Sequence, residues 1–477
     1  MLNDTSLQGN FQLTCLSRYT MLFNSFEFFL FFPIVTLLYF LVPKKFRWVH
    51  LLIASCIFYG AFIPSYLFIL ALLILIDYTA GLLIEKGNAP KAWLILSIAA
   101  NLSLLGLFKY HDFLASNINR FTGADLVLYH WILPIGLSFH CFQSMSYTIE
   151  VYRKKQKAIR HPGYYALYVM FYPQLVAGPI ERPQHLFPQL FHSQKFSIEN
   201  LLIGLRLMAW GFFKKLVVAD RLGIYVDGFY ASDNTGGMRA ILSTIFFSFQ
   251  IYADFSGYSD IAIGAAKCMG IDLTLNFNRP YFSKNIRMFW QRWHISLSGW
   301  FRDYVYIPLG GNKVPAGRHV FNLLFTFFLS GLWHGAGWTF IIWGLIHACY
   351  LLVYNFYCKK VKQNLPPFIS VLLCFVFVSF AWIFFRSGSV QQALDIIQST
   401  GSSYSGWQLE HISFGNFSLA ISFVFIVIMM LTEFYLSPRM SELNNRKTAD
   451  FIFLTLTIVL ILFFGIFRNN SFIYFQF

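Results

Sequence analysis

From residue 26 onward the chain is written in long apolar blocks separated by short polar or basic stretches. The pattern predicts twelve helical spans, at 26–42, 49–63, 66–84, 92–108, 131–150, 201–219, 240–263, 319–334, 338–357, 368–385, 414–433 and 450–467. A spanning helix needs around 20 apolar residues, so the shorter blocks are marginal. Nothing shows the roughly ten-residue alternating segments of a membrane barrel. In lipid every backbone amide must be satisfied within its own segment, which leaves helices as the spanning element. The predicted class is an all-α polytopic membrane protein.

Charge tests that pattern. Alternating sides from the first span places Lys44, Lys45, Arg47, Lys86 and Lys91 together with Arg153, Lys154, Lys155, Lys157 and Arg160. The same side receives Lys359, Lys360, Lys362, Arg439, Arg446 and Lys447. The other side receives 227–237 and 387–413, which contain neither Lys nor Arg. Such asymmetry orients the basic side to the cytoplasm and both termini outward. The register requires 163–180, "GYYALYVMFYPQLVAGPI", to enter and leave on one side, which Pro173, Gly178 and Pro179 permit by breaking a helix. Lys214 and Lys215 sit awkwardly inside the span at 201–219.

Composition agrees. The 477 residues are 57% hydrophobic and only 12% charged, against about 25% charged in a soluble protein. The net charge of +15 therefore reads as loop topology and not as a nucleic-acid surface. The seven cysteines form no CxxC pair and read as free thiols, with no disulfide framework and no zinc site. Residues 1–20 lack both a basic n-region and an apolar h-region, so they are not a signal peptide. They are expected to be a non-conforming extension, with translation starting at Met21. No internal repeat or soluble domain is evident, and residues 21–477 read as a single membrane domain.

One segment carries candidate chemistry. Residues 276–318 hold Arg279, Lys284, Arg287, Arg292, Arg302, Lys313 and Arg318 against the single acid Asp303. Ile286, Trp290, Trp293, Leu297 and Trp300 recur every three or four residues, which predicts one aromatic face of a helix. Lys284, Arg287, Gln291, His294 and Ser298 mark a second face at the same spacing. Two readings stay open. The helix is either an interfacial anchor, with Trp at the headgroups and Arg snorkelling to lipid phosphates, or the wall of a cytoplasmic funnel for a polyanionic cosubstrate, with His294 directed into it. The loop "PLGGN" at 308–312 ends the helix, but a lone glycine pair is weak evidence for a phosphate cradle.

His334 lies in "GLWHGAGWTF", a run that otherwise reads as lipid-buried. Intramembrane ionisable groups are expensive and point to function. Gly331, Gly335 and Gly337 would permit a break facing a cavity, and histidine is well matched to taking a proton near neutrality. His347 has no such surroundings and reads as structural core. Asp254, Tyr258 and Asp260 in "ADFSGYSD" read as a packed polar network or a site wall.

These stretches together resemble the membrane-bound O-acyltransferase superfamily, in its bacterial polysaccharide-acetylating, alginate O-acetyltransferase-like branch. The resemblance rests on "MLFNS" at 21–25, "FYPQLVAGPIERP" at 171–183 and "ADFSGYSDIAIG" at 253–264. It rests equally on "FWQRWHISLSGWFRDYVYIPLGG" at 289–311, "GLWHGAGWTFIIWG" at 331–344 and "AWIFFRSGS" at 381–389. It implies about a dozen helices around a central tunnel with re-entrant segments. It also implies a histidine pair that falls on His294 and His334, with His334 at the catalytic position.

By that resemblance the chain would pass an acetyl group from a cytoplasmic donor, acetyl-CoA, across the inner membrane to an exported polysaccharide. A periplasmic SGNH-hydrolase-like acetyltransferase would be its partner. His334 is expected to take the proton of the incoming hydroxyl. His294 would orient the acceptor or stabilise the oxyanion, and Arg287, Arg292 and Arg302 would pair with coenzyme phosphates. No metal and no permanently bound cofactor are expected. Peptidoglycan O-acylation and teichoic acid D-alanylation are alternatives within acyl transfer. A non-enzymatic polysaccharide or lipid transporter is the alternative of another class, though transporters tend to show the internal repeats this chain lacks.

Overall fold

A computed structural model describes residues 21–134, 136–175, 178–232, 237–360, 365–401, 415–436, 447–467 and 472–473. The chain divides into two compact units, interleaved in sequence. Among the described residues, 21–208, 260–274 and Phe467 form the first, and 209–259, 275–466 and 472–473 form the second. The proposed extension 1–20, the part 402–413 of the outward segment 387–413, and Lys362, Arg439 and Arg446 lie outside the described residues.

Each of the twelve predicted spans contains a helix, though not over its full length: the one predicted at 131–150 begins only at Leu137. The first unit contains α1 (Phe26–Leu41), α2 (Arg47–Gly60), α3 (Tyr66–Lys86), α4 (Pro90–Leu105), α5 (His111–Thr122) and α6 (Leu137–Tyr152). After these come α7 (Pro162–Met170), α8 (Tyr172–Leu175), α9 (Pro183–Phe191) and α10 (Ile198–Phe212), the last running on at its C-terminal end into the second unit. Ser25 caps α1 by accepting the Phe28 N–H, and Pro90 opens α4 at the position where its missing N–H costs nothing. The nine-residue α7 and four-residue α8 are separated by a non-helical Phe171, and neither is long enough to cross a bilayer. The first unit hides a carboxylate. Asp77 on α3 is fully buried and accepts hydrogen bonds from Ser97 (2.6 Å) and Asn101 (2.9 Å) on α4, while the Ser97 hydroxyl oxygen also lies 2.9 Å from that of Thr148 on α6. Buried polar groups need such partners, so this knot pins three apolar helices in one register.

The second unit contains α11 (Asp220–Tyr230), the part of α12 (Gly237–Cys268) up to Ser259, α13 (Ile286–Arg292), α14 (Ile295–Phe301) and α15 (Ala316–His334). It continues with α16 (Trp338–Lys360), α17 (Pro367–Arg386), α18 (Val390–Thr400), α19 (Gly415–Leu436) and α20 (Lys447–Phe464). Among the described residues, five helical segments are long and apolar enough to cross a membrane: Tyr66–Lys86, Pro90–Thr122, Trp338–Phe356, Pro367–Arg386 and Phe417–Tyr435. Phe26–Leu41 and Asp450–Phe464 are apolar but shorter. The chain is a multi-pass, all-helical membrane protein.

The two awkward lysines are resolved by a π-helical turn at Phe213–Ala219. Lys215 lies 2.7 Å from Asp254 and 3.0 Å from Asp220, and Lys214 lies 3.5 Å from Glu433. Tyr252 closes the cluster with a short hydrogen bond to Glu433. All six side chains are almost wholly buried, a state that charged groups reach only when paired. Asp254 thus belongs to a packed polar network, as read from the sequence. Tyr258 packs against Phe472, and Asp260 belongs to the first unit.

Candidate active site

The continuous helix predicted across 286–300 is broken. α13 ends at Arg292, and His294 takes a left-handed backbone, φ +43°, before α14 begins. Such a conformation costs a non-glycine residue energy and persists only where its surroundings over-determine it. Here they do. The segment 276–278 runs alongside the break: Asn278 donates its N–H to the Arg292 carbonyl, and Ile295 donates to the Asn276 carbonyl, each at 2.9 Å. These two bonds replace helical ones lost at the break. Periodicity could not reveal this, because the replacing partner lies about fifteen residues away in sequence.

The break turns His294 inward. The imidazole is fully buried, edge-on to Phe255 at 4.6 Å, and 6.3 Å and 6.1 Å from the rings of Phe277 and Trp333. Its Nδ1 lies 3.0 Å from the side-chain oxygen of Asn276. The same oxygen accepts from the Ser296 hydroxyl at 3.0 Å and the Ser296 N–H at 3.4 Å, and the Asn276 amide NH₂ donates to Ser259. Burial pushes the His294 imidazole down to about 3, so the ring is neutral at physiological pH.

His334 is the last residue of α15 and is 3% exposed. Three aromatic rings cage it: Trp333 and Trp343 at 4.9 Å and Phe385 at 5.4 Å, all steeply tilted to the imidazole. Trp333 therefore touches both histidines. The glycines act differently from the expectation. Gly335 has an extended backbone, φ −158°, and its role is spatial. A Cβ on Gly335 would overlap the Phe340 ring, and one on Gly331 would overlap the Phe340 carbonyl. They let α15 and α16 approach closely around the break at 335–337.

Two tryptophans of the aromatic face of 286–300 pack against other rings inside the second unit. Trp290 packs against Trp343 and His347, and Trp293 packs against Trp382. The interfacial-anchor reading fails for these two tryptophans, because the inward turn at the break delivers them to the core. His347 is fully buried among Phe289, Trp290 and Trp343. Residues of the sequence stretches at 253–264, 289–311, 331–344 and 381–389 thus meet in one aromatic core around the histidines.

Beside that core lies a cavity of about 1070 Å³ between α13, α14, α15 and α16. Arg287, Gln291, Ser298 and Arg302 line it, and it reaches Ile295, next to His294, and Ser330, one turn before His334. Neither histidine is part of the lining, which corrects the expectation that His294 points into this space. Arg287 donates to Asn355 at 2.5 Å and stacks over Tyr354. Arg302 pairs with Asp303 at 2.7 Å, which raises its pKa further. Arg292 is not in the lining either; it turns toward the Phe282 carbonyl, where burial and the nearby Arg279 lower its pKa. His319 contributes a further basic group to the wall that the sequence did not single out.

The "PLGGN" loop is a helix terminator. Gly310 and Gly311 have φ of +102° and +57°; their N–H groups donate to the carbonyls of Ile307 and Tyr306, and Asn322 ties the loop to α15 through the carbonyls of Leu309 and Gly311. Donors spent on closing a helix do not cradle a phosphate.

Comparison with known proteins identifies the family. The profile described as MBOAT, membrane-bound O-acyltransferase family, matches residues 92–391. The chain is 36% identical to a peptidoglycan O-acetyltransferase of Helicobacter pylori, over 84% of this chain and 83% of that protein. It is also 36% identical to the probable alginate O-acetylase AlgI of Pseudomonas aeruginosa, over 88% of this chain and 83% of that one. A teichoic acid D-alanyltransferase of Bacillus subtilis is 30% identical over 53% of this chain and 68% of its own length. The transporter alternative gives way to an enzyme. The chain belongs to the membrane-bound O-acyltransferase family, and it is an O-acyltransferase.

Proposed function

We propose that this enzyme transfers an acetyl group from acetyl-CoA, bound from the cytoplasmic side of the inner membrane, to a hydroxyl of an exported glycan of the alginate or peptidoglycan type. The observation that carries the reading is the 1070 Å³ cavity, flanked by Arg287 and Arg302 and ending one residue from His294 and one turn from His334. Its volume suits a large ligand, and guanidinium groups suit phosphates. The acceptor class comes from the names of the two relatives that cover most of this chain. The D-alanyltransferase likeness covers little more than half of it, which favours acetyl as the cargo.

In the proposed reaction the acceptor oxygen attacks the thioester carbonyl carbon while His334 takes the hydroxyl proton. The C–S bond then breaks, and the coenzyme sulfur leaves as thiolate and regains the proton from His334. A position at the C-terminal end of α15 supports a base there, since the helix dipole stabilises the cation formed in the step. Aromatic walls exclude water that would otherwise hydrolyse the thioester. A periplasmic SGNH-hydrolase-like acetyltransferase would take the acetyl group onward where the polymer lies beyond reach. The test is acetyl transfer in sealed inside-out vesicles supplied with radiolabelled acetyl-CoA outside and glycan inside. Label in the glycan supports the reading; free acetate alone, or no transfer with a competent protein, contradicts it.

A further inference from the structure

Asn276 lies in no stretch that carried the family resemblance, yet it organises the break that presents His294. It is fully buried. Its main-chain carbonyl holds the Ile295 N–H, and its side-chain oxygen is shared by His294 Nδ1 and by the hydroxyl and N–H of Ser296. A backbone N–H can only donate, so the amide atom facing Ser296 is the oxygen. An imidazole nitrogen bonded to that oxygen must then carry the hydrogen. The Asn276 NH₂, directed to Ser259 on α12, holds the amide in this sense.

We infer that Asn276 is a positioning residue for the acyl transfer: it locks His294 in the Nδ1–H tautomer and so commits Nε2 as a lone-pair acceptor for the hydroxyl of the incoming acceptor. This rests on the reading that His294 acts in the reaction, and it chooses between the two roles expected for that residue. A neutral imidazole of this tautomer has no second N–H to offer an oxyanion, so His294 orients the nucleophile instead. The ring packs on the uncharged Phe255, Phe277 and Trp333. Among the described residues, His334 packs on the other side of the shared Trp333, and Arg292 lies two residues before His294 in sequence. The burial that keeps the ring neutral keeps that acceptor available.

Two substitutions separate positioning from mere structure. Asn276→Leu removes the shared acceptor. Asn276→Asp keeps an acceptor for His294 and Ser296 but adds a charge, which favours the imidazolium. A carboxylate there raises the pKa of His294, and protonated His294 has no lone pair to offer. As pH falls, the Asp variant should therefore lose kcat sooner than wild type, with the acid limb displaced upward by one unit or more. At pH 8 it should keep at least a tenth of wild-type kcat. The Leu variant, measured per folded molecule, should fall at least tenfold in kcat with the KM for acetyl-CoA changed less than twofold. His294→Ala is measured alongside. If His294→Ala retains activity, the reading of the site falls and takes this inference with it. If His294→Ala is inactive while the Asp variant follows the wild-type pH profile, the positioning inference alone is overturned; that profile decides even where the Leu variant does not fold.

Discussion

The imidazole of His334 meets the indole of Trp343 nearly at right angles, with 4.9 Å between ring centres and 87° between planes. Trp343 is fully buried and also stacks on Trp382, so it holds the wall against which the histidine rests. Trp343→Ala should cost about 3–5 kcal/mol of stability, in line with large aromatic truncations in packed cores. It should also lower activity per folded molecule, because His334 gains freedom to turn. Trp343→Phe should keep most of both. Thermal unfolding in detergent beside acetyl transfer checks this; a Trp343→Ala protein of wild-type stability would contradict the packing described.

The arginines divide by position. Arg287 lines the cavity and Arg292 does not. Arg287→Gln should raise the KM for acetyl-CoA several-fold, with the difference from wild type shrinking at high salt, as expected of a screened charge contact. Arg292→Gln should leave that KM unchanged. Arg302→Gln should show the smaller effect, since Asp303 already occupies its guanidinium. Equal KM values for wild type and Arg287→Gln across salt concentrations would remove the phosphate-binding role.

The buried charge cluster makes a stability prediction. Lys215→Met leaves Asp220 and Asp254 without their shared cation, and breaking one partner of a buried pair costs about 3–5 kcal/mol. Lys214→Met should cost less, since its contact with Glu433 is longer. Replacing Lys215, Asp220 and Asp254 together with apolar residues of similar size should recover much of the loss. Unfolding midpoints of the single and triple variants test this.

Much of this was legible in the sequence, and the gaps have physical causes. Apolar blocks located a helix in each of the twelve predicted spans, because a helix facing lipid needs nothing but length and hydrophobicity. His334 stood out because an ionisable group is expensive in lipid and glycines flank it, with a packed core histidine as the plainer alternative. The kink at His294 stayed hidden, since its cause is the segment 276–278 and not any breaker residue in 286–300. The partners of Lys214 and Lys215 stayed hidden for the same reason: Asp254 and Glu433 lie on other helices, and the π turn that brings both lysines inward leaves no compositional mark. The division into two units is likewise invisible, because α10 and α12 each run from one unit into the other without a linker.

The charge asymmetry predicts sidedness. In a background without native cysteines, a cysteine at Ser232 should react with an impermeant thiol reagent in intact spheroplasts, and one at Lys155 should react only after lysis. The reverse pattern would invert the orientation and place the cavity's donor on the wrong side.

The central claim is that His334 is the base of the acyl transfer, and His334→Ala tests it most directly. The variant, reconstituted at equal protein in vesicles, should unfold within a few degrees of wild type. Acetyl transfer should fall by about 10²–10⁴-fold, the range that general-base catalysis supplies. A folded His334→Ala protein that retains a tenth or more of wild-type transfer would contradict the account.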